Sequence, residues 1–167
     1  MRNKYYLLAL LIVAIDHVTK WIVSARLPDR PIELIPGYLR FSYVSNTGVA
    51  FGFFNGNNSV WQPYVLGAMA VAALVAIFLY GRRVSASRVL LQCALAIIMG
   101  GILGNFVDRV FRGYVVDFIE FHIHESFYWP NFNVADSAIA IGIALLLIDT
   151  IGNPGMNEVA EPTADRS

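Results

Sequence analysis

The sequence predicts an all-α polytopic membrane protein with four transmembrane helices and a small β element at the outer membrane surface. Three observations predict this class. The chain of 167 residues is 57% hydrophobic and 14% charged, whereas globular chains are about 25% charged. Four apolar stretches approach the roughly 20 residues that a helix needs to cross a bilayer. The tryptophans lie at the ends of these stretches, where aromatic residues settle among the headgroups.

The composition also sets limits on organisation and partners. Twelve basic and twelve acidic residues give a net charge of zero, so no long-range field attracts nucleic acid. The length predicts one membrane domain over residues 1–167, and a polar tail at 152–167 is predicted to be disordered. Cys93 is the only cysteine, which excludes an internal disulfide. We expect a monomer.

The first predicted span covers residues 5–24 and carries Asp16 and Lys20 in its second half. Arg2 and Lys4 precede it, so the segment has the charge pattern of a signal peptide. No small-residue cleavage site follows, and three more apolar segments lie downstream. We therefore predict an uncleaved membrane helix.

The other three spans are predicted at residues 64–80, 89–107 and 133–148. The first of these follows Pro63, which suits the opening turn of a helix. An even number of spans places both termini on one side of the membrane. Counts of lysine and arginine tie between the two sides, but residues 81–88 hold three arginines in a short loop. Short loops weigh most in the positive-inside rule, which favours cytoplasmic termini.

The β element is predicted at residues 38–54, where Leu39, Phe41 and Tyr43 alternate with polar residues. Residues 114–123 are β-branched and aromatic. They predict either a second strand or an irregular re-entry.

Polar residues gather at one membrane depth, near the outer interface, and the cytoplasmic half of the spans is almost empty of them. Ionisable groups inside a membrane are costly and indicate function. A proton-relay transporter would carry them at mid-bilayer or on both sides, so the one-sided placement favours a localised site. The gathered residues are Asp16, Lys20, Asn46, Asn105, Asp108, Arg109, Asp117, Asn133 and Asp136.

Their spacing leaves several interpretations open. Asp16 and Lys20 are four residues apart, as in a local helix ion pair. Asn133 precedes Asp136 by three residues, so it either caps a helix or acts directly. A small-residue face predicts close helix packing or room for lipid or substrate. That face consists of Gly100, Gly101 and Gly104.

The residue types restrict the chemistry. His122 and His124 would share a strand face near Glu120, a weak basis for a metal site because further ligands are not visible. Ser137 has no histidine at its depth except His17, which disfavours serine–histidine catalysis. Carboxylates remain as the candidate catalytic groups.

Two carboxylates in a dry pocket cannot both ionise cheaply, so one keeps a proton while the other takes one from water. Asp108, Asp117 and Asp136 compete for the two places. Asp108 neighbours Arg109, and a nearby cation holds a carboxylate in its charged form. The physical argument slightly favours Asp117 with Asp136.

Five strings follow one another along nearly the whole chain. They are Asp16-His-Val-Thr-Lys20, Asn46-Thr-Gly-Val-Ala-Phe51, Gly104-Asn-Phe-Val-Asp-Arg109, Val115-Val-Asp-Phe118 and Phe132-Asn-Val-Ala-Asp-Ser137. Together they resemble the signature blocks of the bacterial lipoprotein signal peptidase (signal peptidase II) family. His17 stands where the family pattern has glutamine.

The resemblance implies a multi-pass aspartyl endopeptidase of the bacterial inner membrane, with its active site near the periplasmic face. It implies cleavage of prolipoproteins before a diacylglyceryl-modified cysteine, with membrane lipids as further partners and no metal or cofactor. The implied catalytic pair is Asp117 and Asp136. The implied substrate-binding or supporting residues are Asn46, Asn105, Asp108, Arg109, Asn133 and Asp16.

The β element is then expected to cover the site, with Asn46 reaching into the pocket and Gly48 and Gly52 giving mobility. Besides the proton-relay transporter, two further rival functions stay open. A metal-dependent lipid transferase would lose activity with a chelator, and an anchoring subunit would need no catalytic aspartate.

Overall fold

A computed structural model describes residues 3–28, 30–48, 61–124 and 126–153. Four helices in these ranges are long and apolar enough to cross a membrane, which confirms the predicted fold class. The helices are α1 (Asn3–Arg26), α2 (Gln62–Arg83), α3 (Val89–Arg112) and α4 (Val134–Gly152). The strands are β1 (Ile32–Ile35), β2 (Leu39–Asn46), β3 (Val115–Ile123) and β4 (Phe127–Tyr128).

Helix α3 lies at the centre of the bundle and contacts α1, α2 and α4. Its glycines allow this close approach. A Cβ atom built on Gly100 would lie 2.8 Å from the Ala9 carbonyl oxygen of α1, and one on Gly101 would lie 2.4 Å from the Ala135 carbonyl oxygen of α4. The glycine face is therefore filled by neighbouring helices. The alternative that it leaves room for lipid or substrate is wrong.

The end of the bundle opposite the sheet carries more polar contacts than the sequence suggests. Helix α4 continues through Gly152, so Asp149 belongs to the helix, and its carboxylate is buried and paired with Arg88. Gln92 is also buried, and its side-chain nitrogen Nε2 donates to the Val84 carbonyl oxygen at 3.1 Å. The expectation that this half of the spans is almost empty of polar groups is wrong at this cluster, where Asp149 pairs with Arg88 and Gln92 donates to a backbone carbonyl.

The four strands form an antiparallel sheet in the order β1-β2-β3-β4. Residues 115–123 form a regular strand, which decides between the two interpretations of that segment. The central pair is bulged between Phe41 and Val44, and beyond the bulge Val44 lies opposite Asp117. Val116 and Phe118 of β3 pack with Val23 and Leu27 at the C-terminal end of α1, so the sheet is attached to the bundle beside Asp117.

The two histidines of β3 do not share a strand face. His122 is buried on the strand, but the strand ends at Ile123, and His124 adopts a positive φ of 48°. The chain turns at His124, whose backbone N–H donates to the Gly37 carbonyl oxygen at 2.8 Å. Within the described ranges, no three His, Cys, Asp or Glu side chains are arranged to hold a metal ion.

Three expectations concern positions outside the described residues. They are the end of the β element at residues 49–54, the mobility expected at Gly52, and disorder of the tail at residues 154–167.

Candidate active site

The candidate site begins at the start of α4, where Asn133 and Asp136 form a reciprocal cap. Asn133 Oδ1 accepts the Asp136 backbone N–H at 2.9 Å, and the Asn133 backbone N–H donates to Asp136 Oδ2 at 3.2 Å. This capping box satisfies two donors that an unfinished helix end leaves free. Asn133 therefore caps the helix, and its side-chain amide group remains available for a second contact.

That second contact joins Asn133 to Asp117. Asn133 Nδ2 donates to Asp117 Oδ1 at 2.7 Å, and Asn46 Nδ2 donates to Asp117 Oδ2 at 2.8 Å. The side chains come from α4, β2 and β3, so the sheet register and the helix cap together place the carboxylate. Asp117 is 2% exposed.

Burial raises the pKa of Asp117 from 3.8 to about 6, because the charged form loses its hydration. The negative charge of Asp136 raises this pKa further, whereas the amide donors of Asn46 and Asn133 lower it. The raised pKa is a consequence of two carboxylates held near one another in a dry environment.

Asp136 is half-buried and lines a cavity of about 720 Å³. Its Oδ1 accepts a hydrogen bond from Asn105 Nδ2 at 2.7 Å. Each oxygen of Asp117 and of Asp136 thus accepts one N–H donor, and lone pairs remain on both carboxylates for a water or a proton.

The cavity is apolar along the helices and polar at the end nearest the sheet. Asn46, Asn105, Arg109 and Asp136 provide the polar lining. Asp117 does not line the cavity, but Asn46 does, and Asn46 contacts Asp117 directly. The apolar lining from the helices consists of Leu66, Met69, Ala70, Ala73, Ile102, Ile139, Ala140 and Ile143.

Arg109 brings a cation to this cavity. Its Nη1 donates to the Asn105 carbonyl oxygen at 3.3 Å, which leaves most of its five N–H donors for a ligand. Arg109 also lines a second cavity of about 550 Å³ beside Tyr64 and Phe106.

Asp108 and Asp16 are placed away from the cavity, around Lys20. The Lys20 side chain is 0% exposed, and its Nζ lies 2.7 Å from Asp16 Oδ2 and 2.9 Å from Asp108 Oδ2. Asp108 Oδ1 also lies 3.2 Å from Arg112 Nε. The cations that pair with Asp108 are therefore Lys20 and Arg112, and Asp108 has no place in the carboxylate pair beside the cavity.

The sequence places Lys20 among the gathered polar residues, but Lys20 is not among the predicted catalytic, substrate-binding or supporting residues. The spacing of Asp16 and Lys20 indicates their ion pair, which the structure contains. The contact of Lys20 Nζ with Asn105 Oδ1 at 2.9 Å joins residues 85 positions apart. The depth that Lys20 shares with Asn105 in antiparallel spans was the only available signal.

These features define a multi-pass membrane protein with a carboxylate-containing cavity at one end of its helix bundle, beside the sheet. Residues 8–152 match the family described as Signal peptidase (SPase) II. The chain belongs to the signal peptidase II family, which makes it a membrane peptidase.

Named relatives agree with this assignment. The chain is 41% identical to the lipoprotein signal peptidase of Symbiobacterium thermophilum, over 86% of this chain and 91% of the relative. It is 37% identical to that of Francisella tularensis subsp. novicida, over 86% and 89% of the two chains.

The fold is also shared with a bacterial membrane enzyme solved by the in meso method at 2.3 Å resolution. The two match with a TM-score of 0.79 and 29% identity, over 96% of this chain and 95% of that chain.

Proposed function

We propose that this protein is an intramembrane aspartic endopeptidase that removes the signal peptide from prolipoproteins. Asp117 and Asp136 act as the catalytic pair and use water as the nucleophile. One observation carries the proposal: Asn133 donates its side-chain amide to Asp117 Oδ1 at 2.7 Å and its backbone N–H to Asp136 Oδ2 at 3.2 Å. A single residue thus holds both carboxylates in one site.

The different surroundings of the two aspartates support different roles. Asp117 is almost fully buried and lies outside the cavity, and burial raises its pKa to about 6, so we assign the shared proton to Asp117. Asp136 lines the cavity and accepts hydrogen bonds at both oxygens. Asp136 is therefore assigned as the base and Asp117 as the acid.

The reaction then needs no covalent intermediate. Asp136 takes a proton from water as the water oxygen attacks the scissile carbonyl carbon, and Asp117 gives its proton to the carbonyl oxygen. The resulting tetrahedral diol collapses when the leaving nitrogen receives the proton held by Asp136. The amide C–N bond then breaks as a hydroxyl group of the diol returns its proton to Asp117, so the carboxylate pair regains its starting protonation state.

The shape and polarity of the cavity suit the end of an apolar helix. A signal-peptide helix in the bilayer satisfies its own backbone groups, so it must unwind before its scissile amide is reachable. The apolar lining from α2, α3 and α4 would contact the helix. Arg109, Asn105 and Asn46 would bind the freed backbone groups at the polar end, and we place the cleaved bond before a diacylglyceryl-modified cysteine.

The topology belongs to the same proposal. The arginines of residues 81–88 favour the cytoplasmic side for that loop and for both termini. The site at the other end of the bundle would then lie near the periplasmic face of the bacterial inner membrane. Trp21, Trp61 and Trp129 are all exposed, as expected for side chains at the opposite, periplasmic headgroups. We propose that a monomer suffices, because every site residue comes from one chain.

The test is a cleavage assay with purified protein and fluorescent peptides that contain the cysteine junction, with and without diacylglycerol. We expect cleavage of the lipidated peptide before the cysteine, with or without a chelator. Loss of cleavage on chelation would contradict the proposal and favour a metal-dependent enzyme. Equal cleavage of both peptides would contradict the assigned substrate, and no cleavage of either would favour an anchoring role.

A further inference from the structure

Lys20 lies outside the cavity and touches neither catalytic aspartate, yet it is the most deeply buried cation of the site. Its ammonium group has three N–H donors and no acceptor. All three have partners: Asp16 Oδ2 at 2.7 Å, Asp108 Oδ2 at 2.9 Å and Asn105 Oδ1 at 2.9 Å. The two carboxylates would balance its charge without Asn105, so the third contact serves another purpose.

The third contact determines how the amide of Asn105 is oriented. Because an ammonium group can only donate, Asn105 must turn its oxygen toward Lys20. Its nitrogen then faces the opposite way, where Nδ2 lies 2.7 Å from Asp136 Oδ1. In the reverse orientation, an amide nitrogen would face the ammonium group and an oxygen would face the carboxylate, and both contacts would be repulsive.

The other two asparagines of the site are oriented by backbone donors. Asn46 Oδ1 accepts the Gly48 N–H at 2.9 Å, and Asn133 Oδ1 accepts the Asp136 N–H at 2.9 Å. Asn105 has no such backbone donor among the described contacts of its side chain; its oxygen is bound by Lys20 and by Asn133 Nδ2 at 3.1 Å. Lys20 therefore fixes the orientation of the Asn105 side-chain amide, as backbone N–H donors fix those of Asn46 and Asn133.

We propose that Lys20 is a positioning residue for Asp136: it binds the side-chain oxygen of Asn105 and so aims the Asn105 amide at the catalytic carboxylate. The inference rests on the proposed role of Asp136 as the base. A carboxylate that always meets an N–H donor is held in its accepting, ionised form. Without Lys20, Asn105 is free to present its oxygen to Asp136, and that contact favours a protonated carboxyl group.

Other charged groups near the contacts of Lys20 with Asn105 and of Asn105 with Asp136 come from three elements. Asp16 and His17 lie on α1, Asp108 and Arg109 on α3, and Asp117 on β3. His17 Nδ1 is 3.9 Å from Asp108 Oδ1. A test must therefore separate the orientation of Asn105 from a general change of charge.

A charge-balanced comparison provides this separation. Lys20→Met alone would leave Asp16 buried without a cation, so the informative variant is Asp16→Asn with Lys20→Met. Asp108 keeps Arg112 in that variant, and Asn at position 16 can still accept the Ala135 N–H. The matched control is Asp16→Asn alone, in which Lys20 still contacts Asp108 and Asn105.

The measurement is the pH dependence of kcat/KM for the lipidated peptide, with folding of each variant checked by thermal unfolding in detergent. Loss of Lys20 is expected to move the acidic limb of the profile upward by about one pH unit or more, as for loss of a hydrogen bond to a charged group. KM is expected to change little. Asp16→Asn alone removes a negative charge that acts on Asp136, so it is expected not to move the acidic limb upward.

Adding Asn105→Leu to both proteins tests whether Lys20 acts through Asn105. We expect that removing Lys20 then shifts the limb no further. Two results would overturn the inference. One is an acidic limb that does not differ between Asp16→Asn with Lys20→Met and Asp16→Asn alone. The other is a shift on removal of Lys20 that is as large with Asn105→Leu present as without it. Asp136→Asn serves as the reference: if it retains full activity, the proposed function fails, and this result is distinct from failure of the Lys20 inference.

Discussion

Asp16 Oδ1 of α1 accepts the backbone N–H of Ala135 in the first turn of α4 at 2.9 Å. The other oxygen of the same carboxylate pairs with Lys20. At an exposed helix start this N–H would donate to water, but here a side chain of α1 accepts the hydrogen bond. The contact joins α1 to the turn that carries Asp136, so helix packing and the candidate site depend on one another.

Gly101→Ala should destabilise the protein by about 1–3 kcal/mol, because overpacking forces backbone shifts. The added Cβ would lie 2.4 Å from the Ala135 carbonyl oxygen. Gly67→Ala is the matched control, since its Cβ would meet nothing closer than Phe106 Cε2 at 3.9 Å. Thermal unfolding in detergent measures both. Equal stability of the two variants would contradict the packing described for α3 and α4.

Arg88→Leu should destabilise the fold by about 3–5 kcal/mol, the cost of leaving a buried charge without its partner. Asp149 is 4% exposed and pairs with Arg88 at the end of the bundle opposite the sheet. Cleavage per folded molecule should not change, because neither residue lines the cavity. Arg83→Leu, at an exposed position, is the control. A specific loss of activity in Arg88→Leu, with stability intact, would contradict a purely structural role.

The linkage between protonation and folding gives a third prediction. The pKa of Asp117 rises from 3.8 to about 6 on folding, so the folded state binds more protons than the unfolded state between these values. The contribution of Asp117 to stability is therefore largest at low pH and is lost as pH rises through about 6.

Stability of the wild type relative to Asp117→Asn should accordingly fall by up to about 3 kcal/mol between about pH 4 and pH 6. Denaturant unfolding of both proteins at several pH values measures this difference, and subtraction removes the titration of the other carboxylates. A relative stability that increases over this range would contradict the raised pKa.

Asn46→Ala should move the basic limb of the activity profile upward by about one pH unit. The hydrogen bond from Asn46 lowers the pKa of Asp117, so its loss raises that pKa and the acid keeps its proton to higher pH. Asn131→Ala is the control, because Asn131 lines the same cavity and Asp117 does not depend on it. Identical shifts in the two variants would argue against a specific effect of Asn46.

The helices and the choice of polar residues could be predicted from the sequence, for physical reasons that are local. Apolar length identifies a span, and charged groups inside an apolar span must be paired or functional. The same local logic explains the error at Asp149. A carboxylate at the end of an apolar run is expected to lie outside the helix, but a partner such as Arg88 allows the helix to continue.

Long-range geometry could not be predicted in this way. Strand β1 is short and exposed, so it depends on pairing with β2 for its conformation. The partners of Asp108 come from α1 and from the next turn of α3, whereas the sequence only shows the adjacent Arg109. Lys20 likewise looks like half of an ion pair until the fold brings Asn105 to it.

The central claim is that Asp117 and Asp136 together activate water, and single-turnover cleavage of a lipidated precursor tests it most directly. The comparison uses Asp117→Asn, Asp136→Asn and, as a buried aspartate at the other end of the bundle, Asp149→Asn, each purified and shown to be folded. We predict that the first two lose cleavage by at least about a thousandfold, since neither general acid nor general base can be replaced, while the third keeps the wild-type rate. Wild-type cleavage by folded Asp117→Asn or Asp136→Asn would contradict the account.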